Sequence, residues 1–148
     1  MHTLSNQILD LPELEKLAIN LCKDICVGDI YLFQGELGAG KTTLIKLLIN
    51  NLYLLNNLSK PASIASPTFP ILITYDLNSS QIYHYDLYRI QNLKELEELD
   101  FFENLNNNIT FIEWPEILIS LPLNKKYYLI NLDIISETKR KINISFNQ

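Results

Sequence analysis

The sequence predicts an α/β fold in a single domain that spans residues 1–148. A short apolar run at 29–34 is typical of a buried strand, and residues 41–55 form a strongly apolar helical pattern. The glycine-rich segment 35–42 joins the two, so that strand, tight turn and helix follow one another. A chain of 148 residues also has the length of one domain that can bury a core.

The segment before the first predicted strand is predicted to be a helix. Residues 11–26 place apolar side chains at helical spacing, and Asp10 is the predicted N-cap. Gly28 is the predicted stop of this helix. Cys22 and Cys26 would lie four residues apart on its surface, a spacing that does not suit a disulfide.

The second half of the chain alternates between strand patterns, loops and short helices. Prolines and serines predict a loop at 56–69, and NSS at 78–80 predicts a hairpin between the strands 70–77 and 81–88. The remaining predictions are one or two short helices at 94–105, a strand at 109–114, a short helix at 115–121, and strands at 126–135 and 141–146.

Composition and charge limit the function classes. The net charge is -5, and Arg89 and Arg140 are the only arginines. A protein that holds nucleic acid by its phosphates usually shows a basic patch. The small clusters of lysine and arginine at 125–126 and 139–141 are interpreted as solvated strand ends. We therefore do not expect this chain to grip a nucleic-acid backbone directly.

The sequence predicts a cytoplasmic protein that does not enter a membrane. Residues 1–11 lack the basic and long apolar regions of a signal peptide, and no run of 18 apolar residues occurs. The two cysteines and two histidines do not complete a zinc-binding set.

Residues 35–42 read GELGAGKT and match the pattern G-x-x-x-x-G-K-[ST]. Three of the four glycines in the chain lie here, which indicates a backbone that must turn tightly and approach a ligand. Backbone N–H groups of such a loop form a nest for phosphate oxygens at a helix N-terminus. A glycine-rich turn with a chance lysine is the alternative. The predicted backbone contacts to the nucleotide come from Gly35, Gly38, Ala39 and Gly40.

The side chains at the end of this loop have separate predicted roles. Lys41 would reach the β- and γ-phosphates and is a predicted catalytic residue. The Thr42 hydroxyl would bind Mg²⁺, and Thr43 could touch the α-phosphate.

A phosphate loop also needs a carboxylate for the metal and a group that positions water. Asp86 and Glu113 each lie late in a strand pattern, and the ends of parallel strands converge on the ligand crevice. The alternatives are an exposed Asp86 paired with Arg89, and a Glu113 that only precedes a helix. Alternation places His84 on the face of Asp86, as a packed neighbour rather than a ligand.

Thr68 in SPTF lies in the predicted loop where phosphate-sensing switches often occur. Its hydroxyl could sense the γ-phosphate or Mg²⁺, so Thr68 joins Lys41 and Asp86 as a predicted catalytic residue. A simple turn around Pro67 is the alternative.

Four motifs stand in order along the chain: GELGAGKTT at 35–43, SPTF at 66–69, HYDLYR at 84–89 and IEWPE at 112–116. Together they resemble the TsaE family, also called YjeE, the small ATPases of bacterial tRNA threonylcarbamoyladenosine biosynthesis. HYDLYR matches the family pattern H-x-D-x-Y-R, and the resemblance covers nearly the whole chain. It implies a P-loop NTPase-like single domain, with a mixed central β-sheet flanked by helices. One departure is Asp100, which stands where the family often has glycine.

The resemblance also implies ligands and residue roles. ATP and Mg²⁺ are the implied cofactors. Thr42 and Glu113 would bind Mg²⁺, Asp86 would be needed for ATP hydrolysis, and Trp114 would contribute to the nucleotide site. Adenine contacts would come partly from the N-terminal segment, here around 9–14.

The implied partners are TsaD and TsaB, which install the threonylcarbamoyl group on the adenosine next to the anticodon. This chain would be a slow ATPase and an accessory subunit, which meets tRNA only through the complex. A membrane is not among the expected partners.

Three other functions are weighed against this one. A small-molecule kinase clamps phosphate with several arginines, and this chain has only Arg89 and Arg140. A GTPase would need N-K-x-D, whereas 124–127 reads NKKY. A nucleotide-gated scaffold that does not hydrolyse ATP uses the same residues and stays open.

Overall fold

The computed structural model describes residues 3–121 and 123–148. Strands and helices alternate through most of these residues, with a hairpin near the middle and another at the end. The elements are β1 (Leu4–Leu9), α1 (Leu11–Cys22), β2 (Ile30–Gln34), α2 (Lys41–Leu55), β3 (Leu72–Asp76), β4 (Gln81–Asp86), α3 (Leu93–Glu98), α4 (Phe101–Asn104), β5 (Ile109–Glu113), α5 (Glu116–Ile119), β6 (Tyr127–Ile134) and β7 (Arg140–Asn147).

The described strands form one mixed sheet in the order β1-β7-β6-β2-β5-β4-β3. Its centre is parallel: β2 pairs in parallel with both β5 and β6, and β4 pairs in parallel with β5. Its two sides are antiparallel: β3 pairs with β4, and β7 pairs with both β6 and β1. The carboxyl ends of the parallel strands therefore meet at one edge of the sheet. This arrangement confirms the predicted mixed α/β fold.

Each face of the sheet has its own apolar core. Phe33 and Phe111 point to the face that α1 and α2 cover, with their ring centroids 5.9 Å apart. Leu32 and Ile112 point to the opposite face, which α3, α4 and α5 cover. Neighbouring residues alternate between faces because successive side chains of a strand point in opposite directions. Burial on both faces explains why β2 and β5 are almost continuously apolar.

Helix α1 begins at the predicted residue. The Asp10 carboxylate accepts a hydrogen bond from the Glu13 backbone N–H at 2.9 Å, and the Glu13 carboxylate accepts one from the Asp10 N–H at 2.8 Å. This reciprocal pair is a capping box, which satisfies two N–H groups that the first turn leaves without helical partners.

The prediction that α1 continues to residue 26 is wrong. The helix ends at Cys22, and the exposed Cys26 lies in the turn that follows. The Asp29 carboxylate accepts a hydrogen bond from the Cys26 backbone N–H at 2.8 Å, which gives this amide a partner outside the helix. Gly28, with a φ of 97°, belongs to this turn and not to the helix end.

Strand β1 was not predicted from the sequence. Four of its six residues are exposed, and its centre, Ser5 to Gln7, is polar. Its pairing with β7 is interrupted between Leu4 and Gln7, and Asn6 there has a φ of 51°. A short, polar edge strand with an irregular register carries no hydrophobic alternation that a sequence pattern could reveal.

The other predicted elements are present, with shifts of a few residues at their ends. Helix α2 has the predicted bounds, and β3 and β4 form the predicted hairpin. The segment 94–105 forms the two short helices α3 and α4. Asp100 precedes α4 with a φ of 52°, a left-handed conformation that glycine adopts most easily and aspartate tolerates.

None of the helices within 3–121 and 123–148 combines the length and the apolar character that crossing a bilayer requires.

Candidate functional site

The glycine-rich loop connects β2 to α2 at the edge where the parallel strands end. A Cβ atom on Gly35 would lie 2.5 Å from the carbonyl oxygen of Leu132, so the loop packs directly on the backbone of β6. Gly40 precedes α2 with a φ of 101°, a backbone conformation in which a residue with a side chain would be strained. Gly35 therefore lets the loop pack against the sheet, and Gly40 lets the chain turn where α2 begins.

The start of α2 offers free hydrogen-bond donors. Its first N–H groups have no partner earlier in the helix, and Gly40 supplies no side-chain cap. The helix dipole adds partial positive charge at the same place. These groups together suit an anion such as phosphate.

Lys41 is buried at the base of the loop, with only 5% of its surface exposed. Its Nζ atom donates hydrogen bonds to the carbonyl oxygens of Gly35 at 2.5 Å and Glu36 at 3.0 Å. The same atom lies 4.0 Å from the centre of the Trp114 ring, a cation–π contact. Burial lowers the pKa of the Lys41 ammonium, and nearby carboxylates, Glu113 first, act in the opposite direction.

Glu113 ends β5 and is fixed from two sides. Its Oε1 atom accepts a hydrogen bond from the Thr42 hydroxyl at 2.6 Å, and its Oε2 atom lies 2.7 Å from Nε2 of the buried His84. The contact with His84 was not predicted. It depends on the pairing of β4 with β5, which the sequence did not specify.

The Thr42 hydroxyl and the Glu113 carboxylate fit a small, hard cation. Mg²⁺ prefers oxygen ligands and keeps several water ligands, so one or two protein groups suffice beside a phosphate. Among the residues described, no group of three or more histidine, cysteine, aspartate or glutamate side chains could hold a metal ion. A Mg²⁺ ion here would therefore take its other ligands from a bound phosphate and from water.

Asp86 ends β4 directly beside Glu113 in the β4–β5 register. It is 4% exposed, and its carboxylate accepts hydrogen bonds from the Thr68 hydroxyl and the Tyr88 backbone N–H, both at 3.0 Å. The alternative of an exposed Asp86 is therefore wrong. Among the described residues, the Arg89 guanidinium lies over the Phe69 ring, 5.3 Å from its centre.

The SPTF loop is attached to the end of β4. Besides the bond from Thr68 to the Asp86 carboxylate, the Ile71 carbonyl accepts a hydrogen bond from the Asp86 backbone N–H at 2.9 Å. Ile71 has a φ of 68°, which is rare for a β-branched residue. Its N–H donates to the Pro67 carbonyl at 2.7 Å, so the chain turns tightly before β3 begins. Thr68 is thereby aimed at Asp86.

A cavity of about 380 Å³ lies between the loop, the SPTF segment and the ends of β4 and β5. Most of the predicted site residues line it, whereas Gly35 and Ala39 do not and belong to the packed base of the loop. Three further lining residues were not predicted: Leu37, Ser66 and Tyr88. The predicted residues that line this cavity are Gly38, Gly40, Lys41, Thr42, Thr43, Thr68, Asp86, Glu113 and Trp114.

A second cavity, of about 580 Å³, lies on the other side of the loop. Its walls are the segment from Leu9 to Leu14, the β6–β7 turn at 137–140, and the loop residues Ala39, Gly40 and Thr43. Gly40 and Thr43 line both cavities, so the two spaces meet at the N-terminus of α2.

The prediction that Arg140 belongs to a solvated strand end is wrong. Its guanidinium donates hydrogen bonds to the backbone carbonyls of Ala39 at 3.0 Å and Gly38 at 3.2 Å. It also donates to the carbonyls of Ser136 at 2.8 Å and Lys139 at 3.0 Å. The side chain therefore joins the glycine-rich loop to the β6–β7 turn, about a hundred residues away in the chain.

A mixed sheet with a parallel centre, and a glycine-rich loop that runs from β2 into α2 above buried Lys41, define a P-loop NTPase-like α/β protein. The crystal structure of Bacillus YdiB has the same fold: its TM-score is 0.63 over 97% of this chain and 87% of that one, at 20% sequence identity.

Sequence comparisons identify the family. A profile for "Threonylcarbamoyl adenosine biosynthesis protein TsaE" matches residues 9–142. The chain is 40% identical to tRNA threonylcarbamoyladenosine biosynthesis protein TsaE of Rickettsia conorii over 99% of its own length and 78% of the relative. It is 30% identical to the Aquifex aeolicus protein of that name over 97% and 98% of the two chains. The chain belongs to the TsaE family, which is involved in threonylcarbamoyladenosine biosynthesis.

Proposed function

We propose that this protein binds ATP with Mg²⁺ and hydrolyses it slowly, as an accessory subunit that acts with TsaD and TsaB in the modification of tRNA. The observation that carries the proposal is the 2.6 Å hydrogen bond between the Thr42 hydroxyl and the Glu113 carboxylate, at the mouth of the glycine-rich loop. A hydroxyl and a carboxylate at this position are the pair that a magnesium-bound nucleotide requires.

The two cavities suit the two ends of a nucleotide. The phosphates fit the cavity of about 380 Å³, where the N–H groups of α2 and Lys41 provide donors and positive charge. The base and ribose fit the cavity of about 580 Å³ beside the segment from Leu9 to Leu14. Thr43 lies where the two cavities meet, which suits a contact with the α-phosphate.

Lys41 must change partners when a nucleotide binds. Its ammonium now donates to two carbonyls of its own loop and lies under Trp114. Phosphate oxygens are stronger acceptors for a cation than neutral carbonyls. The ammonium therefore turns toward the phosphates, and the Trp114 ring above it is placed to report that movement.

Bound Mg²⁺ would neutralise phosphate charge, and Thr42 and Glu113 would hold it. The remaining steps belong to side chains of the cavity. Asp86 accepts from the Thr68 hydroxyl, so its carboxylate has a fixed direction at the end of β4. A carboxylate held in this way can orient a water molecule toward the terminal phosphate and accept its proton.

The arginines make a small-molecule kinase the weaker candidate. A kinase needs cationic side chains that enclose the transferred phosphate. Arg140 is engaged with four backbone carbonyls, and Arg89 lies over Phe69. Neither lines the phosphate cavity.

Titration calorimetry of the purified protein with ATP and Mg²⁺, followed by a phosphate-release assay with and without TsaD and TsaB, tests the proposal. We expect binding that depends on Mg²⁺ and slow, repeated turnover. Binding with no release of phosphate under either condition would favour the nucleotide-gated scaffold. No binding of any nucleotide would overturn the proposal.

We further propose that hydrolysis resets the complex after each modification, because an acidic chain with few arginines is poorly suited to act on tRNA itself. A modification assay with a non-hydrolysable ATP analogue tests this step. One round of modification is expected, and full multiple turnover with the analogue would contradict it.

A further inference from the structure

We propose that Arg140 is a positioning residue that holds the glycine-rich loop in its phosphate-binding shape; the inference rests on the proposed binding of ATP. Arg140 does not line the phosphate cavity; it borders the second cavity, and its four hydrogen bonds all go to backbone carbonyls. Because its guanidinium is engaged in these bonds, its effect on the phosphates of a nucleotide would pass through the loop.

The loop needs such a restraint because of its glycines. Gly38 and Gly40 have φ values of 81° and 101°, and glycine loses more conformational freedom on ordering than any other residue. Arg140 binds the carbonyl of Gly38 and the carbonyl of Ala39, which lies between the two glycines. A loop that is ordered before the ligand arrives loses less entropy on binding.

The same hydrogen bonds set the direction of a backbone donor. The Ala39 carbonyl and the Gly40 N–H belong to one planar trans peptide, so they point in opposite directions. Because the carbonyl is held toward Arg140, the Gly40 N–H is held away from it. Gly40 lines the phosphate cavity, where an N–H group can meet a phosphate oxygen.

The guanidinium is suited to this role where an ammonium is not. Nε and Nη2 lie along one edge of its rigid plane and donate to the two consecutive loop carbonyls. Nη1 lies at the opposite side and donates to Ser136 and Lys139 in the β6–β7 turn. Lysine has one compact ammonium group, which cannot reach the loop and the turn in the same way.

Lys141 provides a matched control on the same strand. Its ammonium lies 3.6 Å from the Asp133 carboxylate, and both side chains are partly exposed. No hydrogen bond from it to the loop is found among the described residues. Removal of Lys141 therefore changes the net charge as much as removal of Arg140 does, and leaves the loop carbonyls with their donor.

The test compares Arg140→Ala, Arg140→Lys and Lys141→Ala with the unchanged protein. ATP affinity with Mg²⁺ is measured by calorimetry, and KM and kcat are measured by phosphate release. We expect Arg140→Ala to lose about 10- to 100-fold in affinity, the scale of hydrogen bonds from a charged donor. KM should rise while kcat at saturation changes little, because the lost contact acts on binding rather than on the transition state.

Chemical rescue separates positioning from general stability. Methylguanidinium at millimolar concentration should restore part of the ATP affinity of Arg140→Ala, and sodium chloride at equal ionic strength should not. Arg140→Lys should keep the fold and recover less than half of the lost affinity on a logarithmic scale. If Arg140→Ala does not fold, the test is the loss of ATP affinity in Arg140→Lys relative to the unchanged protein.

The outcomes separate this inference from the proposed function. If the unchanged protein binds no nucleotide, both are overturned. If it binds ATP and the Arg140 variants bind equally well, only the role of Arg140 is overturned. An equal loss in Lys141→Ala would also overturn it, because net charge would then explain the effect.

Discussion

The Nε2 atom of His84 lies 2.7 Å from the Oε2 atom of Glu113, and both side chains are buried on neighbouring parallel strands. When Glu113 is ionised its carboxylate can only accept, so His84 is the donor. The Thr42 hydroxyl holds the other carboxylate oxygen at 2.6 Å. The direction of Glu113 is therefore set by β4 on one side and by α2 on the other.

Glu113→Gln should preserve the fold and remove the Mg²⁺ dependence of nucleotide binding. The amide keeps the shape of the side chain and can still bond to Thr42 and His84, but it lacks the charge that a hard cation requires. Calorimetric titration of ATP at several Mg²⁺ concentrations measures the effect. If the Mg²⁺ dependence is unchanged, Glu113 does not bind the metal, either directly or through water.

His84→Leu should destabilise the protein by about 1–3 kcal/mol, because it leaves a buried Glu113 oxygen without its donor. Affinity for ATP with Mg²⁺ should also fall, since Glu113 loses its orientation. His84→Gln, which can donate from its amide nitrogen, should recover part of both losses. Urea unfolding and calorimetry measure the two effects. A stable His84→Leu with normal Mg²⁺-dependent affinity would show that the hydrogen bond has no positioning role.

The sequence predicted the parts of the site that depend on local patterns or on the ends of parallel strands. The loop and α2 follow from spacing alone, because the motif and the flanking apolar runs are contiguous. Asp86 and Glu113 were expected to converge, and they are neighbours in the β4–β5 register. Thr68 was expected near the site and donates to Asp86. The roles of these residues in binding and hydrolysis stay predictions.

Contacts between distant segments of the chain could not be predicted from the sequence. The hydrogen bond between His84 and Glu113 requires the exact pairing of β4 and β5, which apolar strands do not encode individually. Arg140 stands in a run of charged residues that resembles a solvent-exposed strand end, and only the packing of β7 brings it to the loop. Strand β1 is polar and irregular, so its sequence lacks the alternation of a strand.

Lys41→Ala should reduce the affinity for ATP about 10- to 100-fold, since a hydrogen bond from a charged group contributes roughly 1.5–3 kcal/mol. Turnover should be lost as well, because the ammonium stabilises charge on the transferred phosphate. Lys46→Ala on the same helix is the control, because Lys46 does not line the phosphate cavity. Unchanged affinity in calorimetry for Lys41→Ala would count against phosphate binding by this loop.

The two cysteines should react at very different rates with a thiol reagent at pH 8. Burial raises the pKa of Cys22 to about 12, so only about one in 10⁴ of its thiols is ionised at that pH. Its Sγ atom also lies 3.4 Å from the Leu48 carbonyl inside the core, whereas Cys26 is exposed.

One thiol should therefore react rapidly in the folded protein and the second only after unfolding. Cys26→Ser should remove the rapid phase, as followed by the absorbance of a released thiolate. Two thiols of equal rate in the native protein would contradict the burial of Cys22.

Asp86→Asn tests whether this carboxylate acts in catalysis or only in the fold. In the native protein one oxygen accepts from the Thr68 hydroxyl and the other from the Tyr88 N–H, both at 3.0 Å. Asparagine can keep both contacts, because its oxygen accepts from the backbone and its amide donates to the Thr68 oxygen. The substitution therefore removes the charge and the basicity while it preserves the local structure.

We expect near-normal ATP affinity, a small change in melting temperature, and turnover reduced by about 100-fold or more, the scale of lost general-base catalysis. Asp76→Asn, at the opposite end of the β3–β4 hairpin, is the control and should behave as the unchanged protein. Thr68→Val should lower turnover by a smaller factor, because it removes the hydroxyl that orients Asp86 and leaves the carboxylate in place. Unfolding of Asp86→Asn, or full turnover by it, would show that the carboxylate is not catalytic, since a structural group affects stability and binding together and a catalytic one affects the rate alone.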